Sequence, residues 1–143
     1  MIDFYSKPRY DFEDLCQLVR VLRAPDGCPW DSVQTHESIR RNFLEEVYEA
    51  CEAIDQKDPV HLREELGDVL FSAVNVARFY KLDSEELMHA ACAKFIRRFR
   101  YMEEKAAERG LELDKLTLAQ QEEIYQQGRH DLEGKEPVKF ISE

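Results

Sequence analysis

No apolar run in this chain approaches the roughly 20 residues that a membrane-crossing helix requires. The opening stretch from Met1 to Pro8 also lacks the apolar segment of a secretory signal, so the expected setting is cytoplasmic, with no membrane partner. Cysteine is sparse and shows no pairing pattern. Cys16, Cys28, Cys51 and Cys92 form no Cys-x-x-Cys motif, and three of them fall in periodic segments where they read as small core residues, which fits a reducing compartment. Positive charge is in deficit: 20 Lys and Arg against 30 Asp and Glu leave a formal charge of -10. That balance disfavours attraction to a nucleic-acid polymer, and a polyanionic substrate needs local basic groups or bound cations. No internal repeat or separate linker breaks the 143 residues, so one domain over 1–143 is expected, with 130–143 a weakly packed tail.

What is present is helical patterning. Asp11 and Asp14 start a first helix with Phe12, Leu15, Cys16, Val19 and Leu22 inward, ending before Pro25. The run from Ala24 to Asp31 holds two prolines and a glycine and is expected to be an irregular loop tied down by Trp30. Thr35 caps a second helix to about residue 57, with Ile39, Phe43, Val47, Ala50, Cys51 and Ile54 facing the core. Asp58-Pro59 restarts the chain into a third helix to about residue 80, with Leu62, Leu66, Val69, Leu70, Ala73, Val74 and Ala77 inward. So short a link between long helices predicts antiparallel packing. Asp83 begins a fourth helix that Gly110 stops; its charged end, from Arg100 to Arg109, is expected to need support from a second subunit. Thr117 begins a short fifth helix to about Gln127.

The chemistry lies in acids at helical spacing. Glu46 and Glu49 share a face of the second helix, and Glu65 and Asp68 share a face of the third. The antiparallel turn brings both pairs to similar height, so four carboxylates can surround one cation. Hard oxygen donors without clustered cysteine or histidine favour Mg2+, with Mn2+ as a substitute, over structural zinc. The plainer reading is two solvated acidic faces. Gly67, between the acids, either permits close backbone approach or is a tolerated weak point. On the fourth helix Lys94 and Arg98 lie four apart with Arg97 and Arg100 nearby, interspersed with Phe95, Ile96 and Phe99, of which the aromatics are expected inward. This basic group is either an ordinary partner for surface glutamates or a phosphate clamp.

The series Leu22-Arg23-Ala24-Pro25-Asp26-Gly27-Cys28-Pro29-Trp30-Asp31, Gln34-Thr35-His36, Glu45-Glu46-Val47-Tyr48-Glu49, Glu65-Leu66-Gly67-Asp68 and Lys94-Phe95-Ile96-Arg97-Arg98-Phe99 resembles the MazG family of nucleoside triphosphate pyrophosphohydrolases. The resemblance extends over about residues 12 to 130. It implies an all-α fold with a four-helix-bundle type core, antiparallel helices and an additional short C-terminal helix, assembled as a homodimer or higher homo-oligomer. It also implies Mg2+ held by Glu46, Glu49, Glu65 and Asp68, Glu45 as a supporting residue or proton acceptor, and Lys94 and Arg98 on the substrate phosphates, with Arg97 beside them. Tyr125 and Arg129 stand where the family often places a tryptophan and a lysine near the nucleotide. Trp30 reads either as a hydrophobic plug or as part of a nucleotide pocket or dimer contact, and His36 either as a substrate contact or as a structural residue.

The reaction so implied is Mg2+-dependent hydrolysis of a nucleoside triphosphate to monophosphate and pyrophosphate, by water attacking in line at the α phosphorus. A ferritin-like oxidase would need a second glutamate–histidine pair beside Glu86 and His89, and none is present. The remaining alternative is a catalytically silent helical homo-oligomer that binds a nucleotide or a protein.

Overall fold

The computed structural model describes Ile2 and residues 4–132. Its regular elements are all helical: α1 (Phe12–Arg23), a single short turn α2 (Pro29–Ser32), α3 (His36–Asp55), α4 (Pro59–Phe79), α5 (Ser84–Glu108), a 3-10 turn (Leu113–Lys115) and α6 (Leu118–Leu132). The all-α expectation holds among these residues. Among the described residues no helix is long and apolar enough to cross a membrane, and all four cysteines are free.

Local side-chain chemistry sets the helix starts. The Asp11 carboxylate accepts from the Asp14 amide, and Asp14 accepts in return from the Asp11 amide. Thr35 and Ser38 exchange the same pair at α3. Each reciprocal pair satisfies two amides that a helix otherwise leaves open. Asp58 accepts from the amides of Val60 and His61, with Pro59 at the first helical position, where its missing N–H costs nothing. Thr117 and Gln120 close the start of α6 in like manner.

The chain packs as two compact units that divide between Glu85 and Glu86. In the first, α3 and α4 form an extensively packed hairpin through Gln56, Lys57 and Asp58, with Lys57 at a left-handed φ of 55°. At the end far from the turn, the Tyr80 hydroxyl meets His36 Nδ1, and the two rings pack edge to face with centroids 5.8 Å apart. Nearer the turn, Glu49 meets Glu65. Contacts at matched distances from the turn establish the antiparallel arrangement. α1 lies against α4, where Cys16, Val19 and Val74 are buried with Phe12, Leu15 and Phe71 around them. Val19 is fully buried, a placement worth about 1.5–3 kcal/mol relative to exposure.

Some expected core positions face outward. Cys51, Ile54, Leu66, Leu70 and Ala73 are exposed, because Ala50 and Ala53 of α3 and Val74 and Ala77 of α4 fill the buried seams. Hydrophobic spacing identified the helices but did not say which apolar residues this chain covers by itself. The loop after α1 contains the turn α2, with Pro29 at its first position. Trp30 is 78% exposed there, so the plug reading is corrected. Gly27, in contrast, is sterically required: a Cβ there would lie 2.3 Å from the Leu22 carbonyl oxygen.

In the second unit, the later part of α5 packs against its own chain. Ala106, Leu116 and Ile124 are buried together, flanked by Tyr101, Met102 and Leu113. α6 continues beyond Gln127 because Gly128 lets its backbone approach the Tyr101 ring, whose hydroxyl donates to Asp131 at 2.6 Å. Burial and the Asp131 charge help that hydrogen bond push the Tyr101 hydroxyl up to about 12. Phe95 and Phe99, expected inward, are exposed, as is Ile96; Phe95 and Phe99 stack on one another with centroids 6.1 Å apart. Of the expected tail, residues 130–132 finish α6, and 133–143 lie outside the described residues.

Candidate metal centre

Glu46 and Glu49 stand one turn apart on α3, and Glu65 faces them from α4. One carboxylate oxygen from each lies within 4.8 Å of the others. Glu65 is only 8% exposed, the one acidic residue among the described residues to be so buried. Its Oε1 accepts from His61 Nε2 at 2.8 Å, while Oε2 is buried and has no hydrogen-bond partner. A buried carboxylate oxygen without a partner is costly unless a cation or proton meets it.

Electrostatics at the cluster have the same sign. Burial raises the pKa of Glu46 above the ordinary carboxylate value, and the charges of Asp68, Glu49, Glu65 and Glu45 raise it further. Glu49 is raised first by the charge of Glu65, then by burial and a hydrogen bond to the Glu65 carboxyl; His61 acts in the opposite direction. These carboxylates are short of positive charge, which a proton or a divalent ion can supply. Glu46, Glu49 and Glu65 together offer hard oxygen donors of the kind that would hold a divalent ion.

The expected four acids are therefore reached in part. Glu46, Glu49 and Glu65 converge; Asp68 is near enough to act on Glu46 but is not in the tight group. Glu45 and Glu52 are exposed on α3, with Glu45 acting on both Glu46 and Glu49 through its charge. Nothing lies within 4 Å of a Cβ built at Gly67, so the close-approach reading is not realised within this chain. His36 begins α3, and its Nδ1 meets the Tyr80 hydroxyl. His61 was not singled out in the sequence, although its four-residue spacing from Glu65 was visible there.

On the second unit, Lys94 and Arg98 lie one turn apart on α5, both partly buried, and Arg98 Nε is buried without a partner. Arg97 is exposed. Tyr125 lines an open groove of about 630 Å³ with Met102, Leu118, Ala119, Gln121 and Glu122, and Arg129 is exposed one turn further along α6.

Fold and site together define an all-helical protein that brings carboxylates from two antiparallel helices to one point. Comparison with known proteins narrows that class: residues 34–102 match the model of the MazG nucleotide pyrophosphohydrolase domain. A Thermotoga maritima nucleoside triphosphate pyrophosphohydrolase/pyrophosphatase MazG is 42% identical over 91 residues, covering 61% of this chain and 36% of the relative. An Escherichia coli nucleoside triphosphate pyrophosphohydrolase is 43% identical over 91 residues, covering 64% of this chain and 34% of the relative. The chain thus matches about a third of the length of these curated relatives. The crystal structure of a mazG-related protein from Thermotoga maritima superposes with a TM-score of 0.57 at 26% identity, covering 82% of this chain and 98% of the other.

Proposed function

We propose that this protein hydrolyses nucleoside triphosphates to nucleoside monophosphate and pyrophosphate, with Mg2+ as its cofactor. The observation that carries this reading is the convergence of Glu46, Glu49 and the buried Glu65, whose Oε2 has no hydrogen-bond partner. The pyrophosphohydrolase names of the relatives agree with it. Glu46, Glu49 and Glu65 would hold the ion, with Asp68 completing the set after a side-chain adjustment. A divalent ion bound there supplies compensation for the crowded acids and lowers the pKa of a water.

The chain's own groups have distinct tasks. Glu45, exposed next to the cluster, is assigned to orient the attacking water or accept its proton. Lys94 and Arg98 are assigned to the phosphate oxygens, where fixed cations offset charge that develops on the pyrophosphate leaving group; Arg97 supports them. Tyr125 offers a ring to the base and Arg129 a charge, and Trp30 is assigned to nucleotide binding or to a contact with a second subunit.

A homodimer or higher homo-oligomer fits the uncovered hairpin. Leu44 and Tyr48 on α3, and Leu66 and Leu70 on α4, are all at least 49% exposed. The antiparallel register sets Leu44 opposite Leu70 and Tyr48 opposite Leu66, and covering such a face would complete a four-helix core from two hairpins.

A panel of nucleoside triphosphates, with and without Mg2+ and with chromatographic identification of both products, tests the assignment. Matched monophosphate and pyrophosphate are expected. Orthophosphate without pyrophosphate would defeat it, and nucleotide binding without turnover would establish the catalytically silent alternative.

A further inference from the structure

We infer that His61 is a positioning residue for the metal centre: it holds Glu65 so that one carboxylate oxygen is committed to the protein and the other is left for the ion. The inference rests on the metal-dependent reading above and adds to it a residue that the acidic pattern does not contain.

The geometry is a chain of two hydrogen bonds. Asp58 Oδ1 accepts from the His61 amide at 3.0 Å, which pins the backbone of His61 in the first turn of α4. One turn later, His61 Nε2 is 2.8 Å from Glu65 Oε1. With its proton on Nε2, the imidazole donates to this carboxylate oxygen, which accepts. Glu65 Oε2 is then the atom with no protein partner, and Glu65 belongs to the group whose oxygens lie within 4.8 Å of one another. His61 itself is outside that group among the described residues, so it acts on the carboxylate rather than as a fourth ligand.

The choice of residue has a physical reason. A buried glutamate has three side-chain torsions and, without a second hydrogen bond, can swing either oxygen toward the ion or take both away. An imidazole N–H removes that freedom without requiring the full positive charge that a lysine would place beside a cation. Groups that hydrogen-bond to metal ligands typically set metal affinity by about 10–100-fold.

The test uses Mn2+ alone as probe, titrated into the full chain and followed by electron paramagnetic resonance, for wild type, His61→Ala, His61→Phe and His61→Gln. Expected is a roughly 10–100-fold weaker Mn2+ dissociation constant for the alanine and phenylalanine variants. Recovery of most of the affinity is expected in His61→Gln, whose side-chain amide can donate to Glu65. Helix content and the metal-free unfolding midpoint should stay close to wild type in the phenylalanine and glutamine variants, which carry the comparison if alanine perturbs folding. Wild-type affinity in His61→Phe, or no recovery in His61→Gln, overturns the inference. Failure of the wild-type chain to take up Mn2+ overturns both the inference and the functional reading, whereas wild-type uptake unaffected by His61→Phe overturns the inference alone.

Discussion

Glu49 and Glu65 sit on different helices, sixteen positions apart in the sequence, and the charge of Glu65 is the largest cause of the raised pKa of Glu49. The hairpin therefore holds like charges together at a cost, and Glu46 experiences the same crowding in addition to burial. Structures keep such an arrangement when something that binds there repays it. Stability of the metal-free chain, metal affinity and pH are consequently linked through the same few carboxyls.

The sign of that linkage is testable. A carboxyl whose pKa is raised in the folded state holds its proton more tightly there than in the unfolded chain. Its stabilising contribution is present below the ordinary carboxylate range, near 4.5, and is lost as pH rises through the raised value. Asp14 and Asp131, whose pKa values are lowered by hydrogen bonds from Lys7 and Tyr101, act with the opposite sign, so the wild type alone would mix the two effects. The comparison with Glu49→Gln isolates the cluster. In metal-free buffer, the wild-type unfolding midpoint should fall relative to that of Glu49→Gln as pH rises from about 4.5 to 7. Saturating Mg2+ at pH 7 should reverse the difference. A gap between the two proteins that ignores both pH and Mg2+ would remove Glu49 from the centre.

Loss of a carboxylate should separate chemistry from folding. Glu49→Ala and Asp68→Ala are expected to reduce Mg2+-dependent turnover by more than the roughly 10–100-fold typical of an outer partner. Both residues are exposed, so far-ultraviolet circular dichroism should change little. Turnover near wild type in Asp68→Ala would confine the centre to the three acids that already converge.

The basic pair on α5 makes a third case. Lys94→Ala and Arg98→Ala should each lower kcat/KM by about 10²–10³, the usual effect of deleting one group that stabilises developing charge. Because Arg98 Nε has no protein partner, its removal forfeits no hydrogen bond at that atom, and stability should stay within about 0.5 kcal/mol of wild type. Equal losses of activity and thermal stability would make these residues structural.

Much of this was legible in the sequence because it is encoded locally. Asp11 with Asp14, Thr35, Asp58-Pro59 and Thr117 mark helix starts through hydrogen bonds made within three residues, and Asp58 also fixes the turn that brings Glu49 level with Glu65. Burial was less legible. Leu66 and Leu70 have the spacing of core residues yet lie exposed, since periodicity marks an apolar face without saying whether its cover comes from the same chain. His61 escaped notice because a histidine near a helix start is unremarkable until the buried carboxylate opposite it is known. Gly128 lies just past the expected end of the fifth helix at about Gln127, whereas its missing side chain accommodates Tyr101 and α6 continues.

Two glycines inside helices should therefore respond differently to the same substitution. Alanine in place of an exposed helical glycine ordinarily stabilises by about 1 kcal/mol, because it restricts the unfolded backbone and favours the helix. At Gly67 a new Cβ meets nothing within 4 Å, so Gly67→Ala should raise the unfolding free energy of the single chain by about that amount. At Gly128 the Cβ would lie 3.0 Å from Tyr101 Cδ1, tighter than ordinary contact, and the ring is held by its hydrogen bond to Asp131. The helix gain should be cancelled or reversed there, with Tyr101→Ala in the same chain relieving the conflict and making the glycine substitution favourable again. Denaturant unfolding of the two single variants and the Gly128 double variant at low protein concentration measures both effects. If the proposed assembly covers the α3–α4 face at Gly67, the added methyl should also weaken association in sedimentation at higher concentration. Stabilisation with unchanged association would place the subunit contact elsewhere.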